Sequence, residues 1–362
     1  MKKHFPTSQK FPKLTIVGVM SGSSLDGLDI AVCKFYYQKN QIHFKVLSAT
    51  TVQYPASILN ILENIRKTSS LQFFEQDVIY GKFIGKKISD FLKKNKLSAD
   101  AVSVHGHTVF HYPEKGFSIQ LGNASQIAAA CQLPVIHNFR NLDIAMGGQG
   151  APLVPIGDKL LFQNFDACVN IGGIANVFIQ KTNIAFDICI ANMALNYFAQ
   201  QQNKKFDKNG SLARKGKIHQ PLLDKLNSLP FILQNPPKSL NREYFEKKYL
   251  HLISKYQLTT NDILATLVEH IAQQISKSIN HHFVKNVLIT GGGAFNQYLI
   301  ERIKFYSKNK KIHIPVNTTI KYKEAIIFAL LGYLRILNIP NSLHQATGAI
   351  KDLISGEVVD IE

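Results

Sequence analysis

The sequence has few cysteines, no long apolar run and no secretory leader pattern. Its four cysteines, Cys33, Cys131, Cys168 and Cys189, are widely spaced and form no C-x-x-C pair, so neither a disulfide framework nor a structural zinc site is expected. The longest apolar stretch lies within Ala325–Leu334 and is too short to span a bilayer. No apolar segment follows the lysines near the start. We therefore expect a soluble cytoplasmic protein with no membrane partner.

The composition is that of a globular protein with a basic surface. Of 362 residues, 45% are hydrophobic and 18% are charged, and 23 Phe and 13 Tyr argue against disorder. The length predicts about two domains. The formal charge is +18, but the lysines are scattered and their runs are short. This distribution favours a solvated basic surface, and we expect no nucleic-acid partner.

Strand patterns occur in two similar series. Leu14–Met20, Leu28–Tyr37 and His43–Tyr54 are rich in β-branched and aromatic residues, and their short connections predict an antiparallel meander. A second series begins at Asp166. The sequence therefore predicts a mixed α/β protein built from two similar halves.

The least regular stretch, Asn141–Pro155, marks the expected boundary between these halves. We predict an N-terminal lobe of residues 1–140, joined by the C-terminal segment 345–362. Residues 141–344 are expected to form the C-terminal lobe.

Three glycine-rich turns follow or interrupt strands: GVMSGSSLDGLD (Gly18–Asp29), NIGGIAN (Asn170–Asn176) and ITGGGAFN (Ile289–Asn296). Such turns let backbone N–H groups approach phosphate oxygens, and Asp26 and Asp29 are spaced to hold a hydrated Mg²⁺. The alternative for the first segment is a plain β-hairpin turn. Neither a Walker A pattern nor G-x-G-x-x-G is present. The spread of these turns over both halves predicts a nucleotide in a cleft between two domains.

Several polar residues are candidates for chemistry on a substrate. Asp187 ends an apolar strand and is a candidate general base, the alternative being a helix N-cap. Arg140 is a candidate clamp for an anionic substrate or a surface partner of Asp143. Glu324 is a candidate ligand of a sugar hydroxyl or a carboxylate that complements a helix dipole.

Three histidines, His105, His107 and His111, lie close together in SVHGHTVFH. No acidic residue is near them, so a metal site is not favoured there. The sequence leaves the metal ligands unidentified.

These segments together resemble the anhydro-N-acetylmuramic acid kinase family of the actin/hexokinase/Hsp70-like superfamily. The resemblance runs in family order from Gly18 to Ile350, and its most specific parts are MGGQGAPLVP, PPKSLNRE and TGGGAFN. It implies a two-lobed actin/hexokinase-like (ribonuclease H-like) α/β fold with the active site in the interdomain cleft.

The resemblance also implies an ATP- and Mg²⁺-dependent kinase, a homodimer, that opens a 1,6-anhydro sugar with water and phosphorylates O6 in cell-wall recycling. Asp187 matches the family's general base. Residues matching nucleotide-binding segments are Gly22, Ser23, Ser24, Leu25, Asp26, Gly27, Leu28, Asp29, Gly172, Gly173, Asn176, Gly291, Gly292, Gly293 and Asn296. Residues assigned to the sugar are His105, Arg140, Asn192 and Glu324.

One segment departs from the family pattern. Many members have D-T-G-P-G-N after the strand, whereas this chain has Asp187-Ile-Cys-Ile-Ala-Asn192. Without the glycines, positive φ and close backbone approach become costly. The alternatives are therefore a kinase of another anhydrosugar such as levoglucosan, or a protein that binds nucleotide or sugar without turnover.

Overall fold

The computed structural model describes residues 11–22, 25–236, 238–281 and 284–361, so the predicted nucleotide contacts Ser23 and Ser24 lie outside the described residues. The chain forms two compact units. One consists of the residues up to Leu161 together with those from Tyr322 onward, and the other is Phe162–Lys321.

Runs of consecutive strands are followed by runs of helices in each half of the chain. The strands are β1 (Leu14–Ser21), β2 (Leu28–Gln38), β3 (Gln41–Val52), β4 (Ala101–Tyr112), β5 (Phe117–Leu121), β6 (Val135–His137), β7 (Ala167–Ile171), β8 (Ile174–Ile179), β9 (Ile184–Ile190), β10 (Asn286–Thr290), β11 (Lys311–His313) and β12 (Glu357–Val359). The helices are α1 (Ala56–Asn64), α2 (Ser70–Asn95), α3 (Ala124–Cys131), α4 (Asn141–Ala145), α5 (Val154–Leu161), α6 (Asn192–Gln200), α7 (Gln220–Asn227), α8 (Pro230–Leu233), α9 (Arg242–Tyr244), α10 (His251–Ile253), α11 (Thr260–His281), α12 (Gln297–Tyr306), α13 (Asn317–Ile336) and α14 (His344–Thr347).

The first unit contains a sheet of order β12-β6-β4-β1-β2-β3, with β5 paired to β4. Strands β1, β2 and β3 are antiparallel neighbours, which confirms the predicted meander. On its other edge β1 is parallel to β4, and β4 is parallel to β6. Because β1 is bonded on both edges and covered on both faces, it is a nearly continuous apolar run rather than an alternating one.

The second unit repeats this arrangement with the order β11-β10-β7-β8-β9. Strands β7, β8 and β9 form an antiparallel meander, and β7, β10 and β11 are parallel. The sheet order β6-β4-β1-β2-β3 of the first unit is matched strand for strand. The prediction of two similar α/β halves, and the two-lobed fold class that the resemblance implies, are confirmed.

The limits of the units differ from the predicted lobe boundaries because α5 and most of α13 belong to the first unit. A Cβ atom on Gly18 of β1 would lie 2.7 Å from the Ala329 nitrogen of α13, so the helix backbone lies directly on the strand. A Cβ on Gly157 of α5 would likewise lie 2.8 Å from Ile327 Cδ1. The chain passes between the units at Tyr322, where α13 leaves helical geometry (φ −111°, ψ 17°).

A buried ion pair joins these two helices. Lys323 Nζ of α13 lies 2.6 Å from Asp158 Oδ1 of α5, and the two side chains are only 5% and 6% exposed. Removing one partner of such a pair leaves an uncompensated buried charge.

We predict that Asp158→Asn lowers the free energy of unfolding by about 3–5 kcal/mol, because Lys323 loses its countercharge. Urea unfolding of purified protein measures this. The matched control is Glu246→Gln, which breaks an exposed i,i+4 pair with Arg242 and should change stability by less than about 0.5 kcal/mol. Equal effects of the two substitutions would contradict the assignment.

Candidate active site

Two of the predicted glycine turns meet in the second unit. Strands β7 and β10 are parallel neighbours, so their carboxyl ends, and the turns that follow them, lie at the same edge of the sheet. Gly291 has φ +83°, and a Cβ there would lie 2.6 Å from Asn170 Oδ1 and 2.7 Å from the Ile171 carbonyl oxygen. Only glycine allows both this backbone conformation and this approach.

The start of α6 is bonded to the first of these turns. The backbone N–H of Asn192 donates to the Gly172 carbonyl at 3.1 Å, and that of Ala191 donates to Gly173 at 2.9 Å. The Asn192 side chain donates from Nδ2 to the Ile171 carbonyl at 2.9 Å. A Cβ on Gly292 would lie 3.5 Å from the same Nδ2. The structure therefore brings together three predicted groups: the NIGG turn, the TGGG turn and Asn192.

The segment after Asp187 does not adopt the positive φ values that loss of the glycines makes costly. Strand β9 continues to Ile190, and positive φ values are absent from residues 188–192, all of which the structure describes. Ala191 has φ −127°. The side chains of Ile188, Cys189 and Ile190 are buried in the core of this unit. Apolar packing thus takes the place of glycine flexibility.

Asp187 lies in β9, half-buried, opposite Asn176 of β8, where the register shifts between Ala175 and Asn176. Its backbone N–H donates to the Lys238 carbonyl at 3.0 Å, and its Oδ2 accepts from the Leu240 N–H at 2.8 Å. Desolvation raises the pKa of the Asp187 carboxyl, and the Leu240 hydrogen bond opposes that rise. The helix N-cap alternative is wrong, because α6 begins at Asn192 and its N-cap is Ala191.

This environment suits a general base. One carboxylate oxygen is held by a backbone donor, and Oδ1 has no hydrogen-bond partner among the described residues. A raised pKa makes the ionised carboxylate a stronger proton acceptor.

Asn296, predicted to contact nucleotide, caps α12. Its Oδ1 accepts from the Leu299 N–H at 3.0 Å, and the residue is 8% exposed. A Cβ on Gly291 or Gly293 would meet the end of β7, whereas the Asn296 side-chain oxygen bonds the start of α12.

The first predicted loop connects β1 to β2, so the hairpin alternative correctly describes its topology. Gly27 has φ +140°, and a Cβ there would lie 2.8 Å from the Val52 carbonyl oxygen. Leu28 is fully buried. Asp29 accepts from Thr51 Oγ1 at 2.6 Å, while desolvation and then the nearby Asp26 carboxylate raise its pKa. The two carboxylates are therefore neighbours.

Arg140 and His105 form a pair in the first unit. Arg140 donates from Nε and Nη2 to His105 Nε2 at 3.2 and 2.7 Å, and from Nη1 to the Gly150 carbonyl at 2.6 Å. Desolvation, followed by the Arg140 charge, holds the pKa of His105 well below its usual range, so the imidazole is neutral and accepts through Nε2. Desolvation also lowers the pKa of Arg140 to about 10, although Glu324 and Asp143 oppose this.

Glu324 follows the kink at Tyr322 in α13, and although the residue reaches solvent, atoms packed around its carboxyl desolvate that group. Desolvation by its surroundings raises the pKa of its carboxyl, Lys323 opposes that rise, and the negative charge of Asp29 reinforces it. Glu324 also interacts electrostatically with Arg140. Within the first unit, Asp29 of the first loop interacts electrostatically with Glu324. Glu324 interacts with Arg140, and Arg140 interacts with His105.

Sequence reasoning missed the buried Asp143, which organises the MGGQG loop. Its Oδ2 accepts from the Gly150 N–H at 2.8 Å, and its Oδ1 accepts from Thr347 Oγ1 at 2.7 Å. The alternative for Arg140, a surface salt bridge with Asp143, is wrong, since Asp143 is buried and Arg140 donates to His105 and Gly150. Both Asp143 and Thr347 lie inside segments that carry the family resemblance. Their place in those segments was the sequence signal that could have identified them.

The structure adds two negative findings. Over the residues it describes, no helix is both long and apolar enough to cross a membrane. Over the same residues, groups of three or more potential metal ligands are absent.

The sequence matches the family model described as anhydro-N-acetylmuramic acid kinase over residues 14–360. The chain belongs to this family. A relative of that name from Francisella tularensis subsp. novicida is 36% identical, with 94% of this chain and 97% of the relative covered. One from Sulfurimonas denitrificans is 32% identical, with coverage of 95% and 99%.

Among solved structures, component A of (R)-2-hydroxyglutaryl-CoA dehydratase from Acidaminococcus fermentans is similar with a TM-score of 0.47 and 14% identity. The similarity covers 90% of this chain and 99% of that one.

We predict that Gly293→Ala lowers the free energy of unfolding by about 1–3 kcal/mol, because its Cβ would lie 2.7 Å from Ile171 Cβ. The adjacent Gly292→Ala is the control, since its Cβ meets only Asn192 Nδ2 at 3.5 Å. Thermal and urea unfolding of both variants provide the comparison. A stable Gly293→Ala variant would show that the two turns are not in contact.

Proposed function

We propose that the protein is an ATP-dependent kinase that hydrolytically opens 1,6-anhydro-N-acetylmuramic acid and phosphorylates its O6. Water adds to the anomeric carbon, the bond from that carbon to O6 breaks, and O6 takes the γ-phosphoryl group. The products are N-acetylmuramic acid 6-phosphate, ADP and a proton. Such a reaction belongs to the recycling of peptidoglycan fragments and to amino sugar metabolism. Membership of the family supports the reaction class.

The observation that carries the proposal is the environment of Asp187. Its Oδ2 is fixed by the Leu240 N–H, and desolvation raises the pKa of its carboxyl. We assign the carboxylate as the base that accepts a proton from the attacking water. Because O6 is released as an alkoxide, phosphoryl transfer captures it directly. Catalysis then depends mainly on positioning and on charge stabilisation.

For the nucleotide, we propose that the glycine turns provide the phosphate-binding backbone. The positive φ of Gly27 and Gly291, and the lack of room for a Cβ at either, fit turns shaped for close approach. Mg²⁺ would neutralise phosphate charge when bound. It usually takes one or two carboxylates with substrate phosphates and water, and the neighbouring Asp26 and Asp29 fit that donor set.

For the sugar, we propose contacts from His105, Arg140, Asn192 and Glu324. Among the described residues, three of the five N–H donors of Arg140 are used. We assign the other two to a carboxylate such as the lactyl group of the muramic acid. Levoglucosan has no such group, so a cation at this position favours the muramic acid sugar.

We extend the family resemblance to a homodimer located in the cytoplasm. Light scattering of purified protein, and fractionation of cells, test these two points separately.

We predict that reaction with Mg-ATP and 1,6-anhydro-N-acetylmuramic acid in ¹⁸O-water gives a 6-phosphosugar with one ¹⁸O at the anomeric position. Mass spectrometry at short reaction times measures the label. Levoglucosan under the same conditions should react far more slowly, because it lacks the carboxylate. A phosphorylated product without ¹⁸O, or ATP binding with no product, would contradict the proposal.

The matched variant for this assay is Asp187→Asn. The asparagine oxygen still accepts from the Leu240 N–H, so we expect ATP binding by calorimetry to be unchanged. Loss of the base should lower turnover by about 10²–10⁴-fold. Normal product formation by this variant would contradict the role of Asp187.

We predict that kcat/KM falls as the pH falls through the raised pKa of Asp187, because the base acts only when ionised. This acid limb should lie at higher pH than that of an ordinary aspartate. The carboxyl pKa values of Asp29 and Glu324 are also raised, so the controls are Asp29→Asn and Glu324→Gln. Both should keep the acid limb, and its loss in either would assign the titration to that residue instead.

A further inference from the structure

Lys238 is anchored at the end of α8 in an unusual way for a lysine. Its Nζ donates to the carbonyl oxygens of Phe231 and Ile232 at 3.0 and 3.4 Å, and it lies 4.7 Å from the centre of the Phe231 ring. Both carbonyls belong to a helix end, where backbone acceptors lack partners within the helix. The Phe231 carbonyl also accepts from the Gln234 N–H at 3.2 Å, so the ammonium group is its second donor, and that group also stacks on an aromatic face.

The backbone around Lys238 holds Asp187 at two points. The Lys238 carbonyl accepts from the Asp187 N–H at 3.0 Å, and the Leu240 N–H donates to Asp187 Oδ2 at 2.8 Å. The segment 238–240 thus runs beside β9, with one bond to the strand and one to the carboxylate. Any shift of the segment 238–240 moves the Leu240 N–H, which fixes the orientation of the Asp187 carboxylate.

We infer that Lys238 is a positioning residue for the base: its ammonium group fixes the segment 238–240 on α8, and that segment orients the Asp187 carboxylate. This inference rests on the proposed function for its catalytic consequence. The structural part, from Lys238 to Leu240 to Asp187, rests on the contacts alone.

The contacts that connect Lys238 to Asp187 run through the backbone. Desolvation raises the pKa of the Asp187 carboxyl, and the Leu240 hydrogen bond lowers it. The titratable groups around the pair are Cys189, whose thiol pKa is raised by burial, and Lys277, whose charge lowers the pKa of Lys238. Loss of the Lys238 ammonium therefore reaches Asp187 through the backbone.

The test compares Lys238→Met with wild type. We expect kcat to fall by about 10–100-fold, while the KM for ATP changes by less than about twofold, because the base but not the nucleotide is misplaced. Since the Leu240 bond lowers the pKa of Asp187, its weakening should move the acid limb of kcat/KM to higher pH. Hydrogen exchange of the Leu240 amide, measured by mass spectrometry or NMR, should become faster.

Two variants separate positioning from general destabilisation. Lys238→Arg keeps a cation and N–H donors and should restore most of kcat. Lys247→Met removes an exposed lysine paired with Glu243 in the same region and should leave kcat, the acid limb and Leu240 exchange unchanged. If Lys238→Met does not fold, Phe231→Leu, which removes the ring next to the ammonium group along with its packing against Tyr244 in the core, should shift the same readouts in the same direction.

The hydrogen-exchange result stands independently of the substrate. Faster Leu240 exchange in Lys238→Met, together with a wild-type protein that turns over no anhydrosugar, would keep the positioning role and reject the proposed function. Unchanged exchange with an unmoved acid limb would overturn the role of Lys238, whatever the activity. In the Asp187→Asn background, Lys238→Met should lower residual turnover no further, and an additive loss would also overturn it.

Discussion

The structure depends on two strands that are hydrogen-bonded along both edges. Strand β1 lies between β2 and β4, and β7 lies between β8 and β10. Strands in this position are buried on both sides and are built from apolar residues, so polar chemistry is confined to their ends. The turns after β1 and β7 are the places where the sheets can present backbone donors. The candidate site of each unit is gathered around these ends.

Asp187 differs from these turns in its position, because it lies in β9, a strand at the edge of its sheet. An edge strand has unpaired backbone groups that neighbouring segments can bond. Here the segment after α8 supplies the partner, because the Lys238 carbonyl accepts from the Asp187 N–H. The Leu240 N–H of the same segment donates to the Asp187 carboxylate. The same segment therefore covers the strand edge and orients the candidate base.

The sequence predicted the meanders, the glycine turns and the candidate base, because each has a local pattern. It did not predict β5 (Phe117–Leu121), or the burial of Asp143, whose partner Thr347 is remote in the chain. The segment after Asp187 avoids positive φ, since Ile188 and Ile190 continue the strand into the core. The resemblance matches Asn296 to a nucleotide-binding segment, which stays a prediction, and the sequence analysis did not predict that its side chain caps α12. Local propensity is visible in one sequence, but pairing across the chain is not.

The second unit is an insertion within the first, and this has a consequence for biosynthesis. Strand β12 pairs with β6, and α13 lies on β1, so the first unit needs residues near both ends of the chain. On the ribosome, residues 162–321 emerge in full before the last strand of the first unit exists. Domains usually fold in order from the amino terminus. Here the second unit can complete its fold first, while the sheet of the first unit still lacks β12.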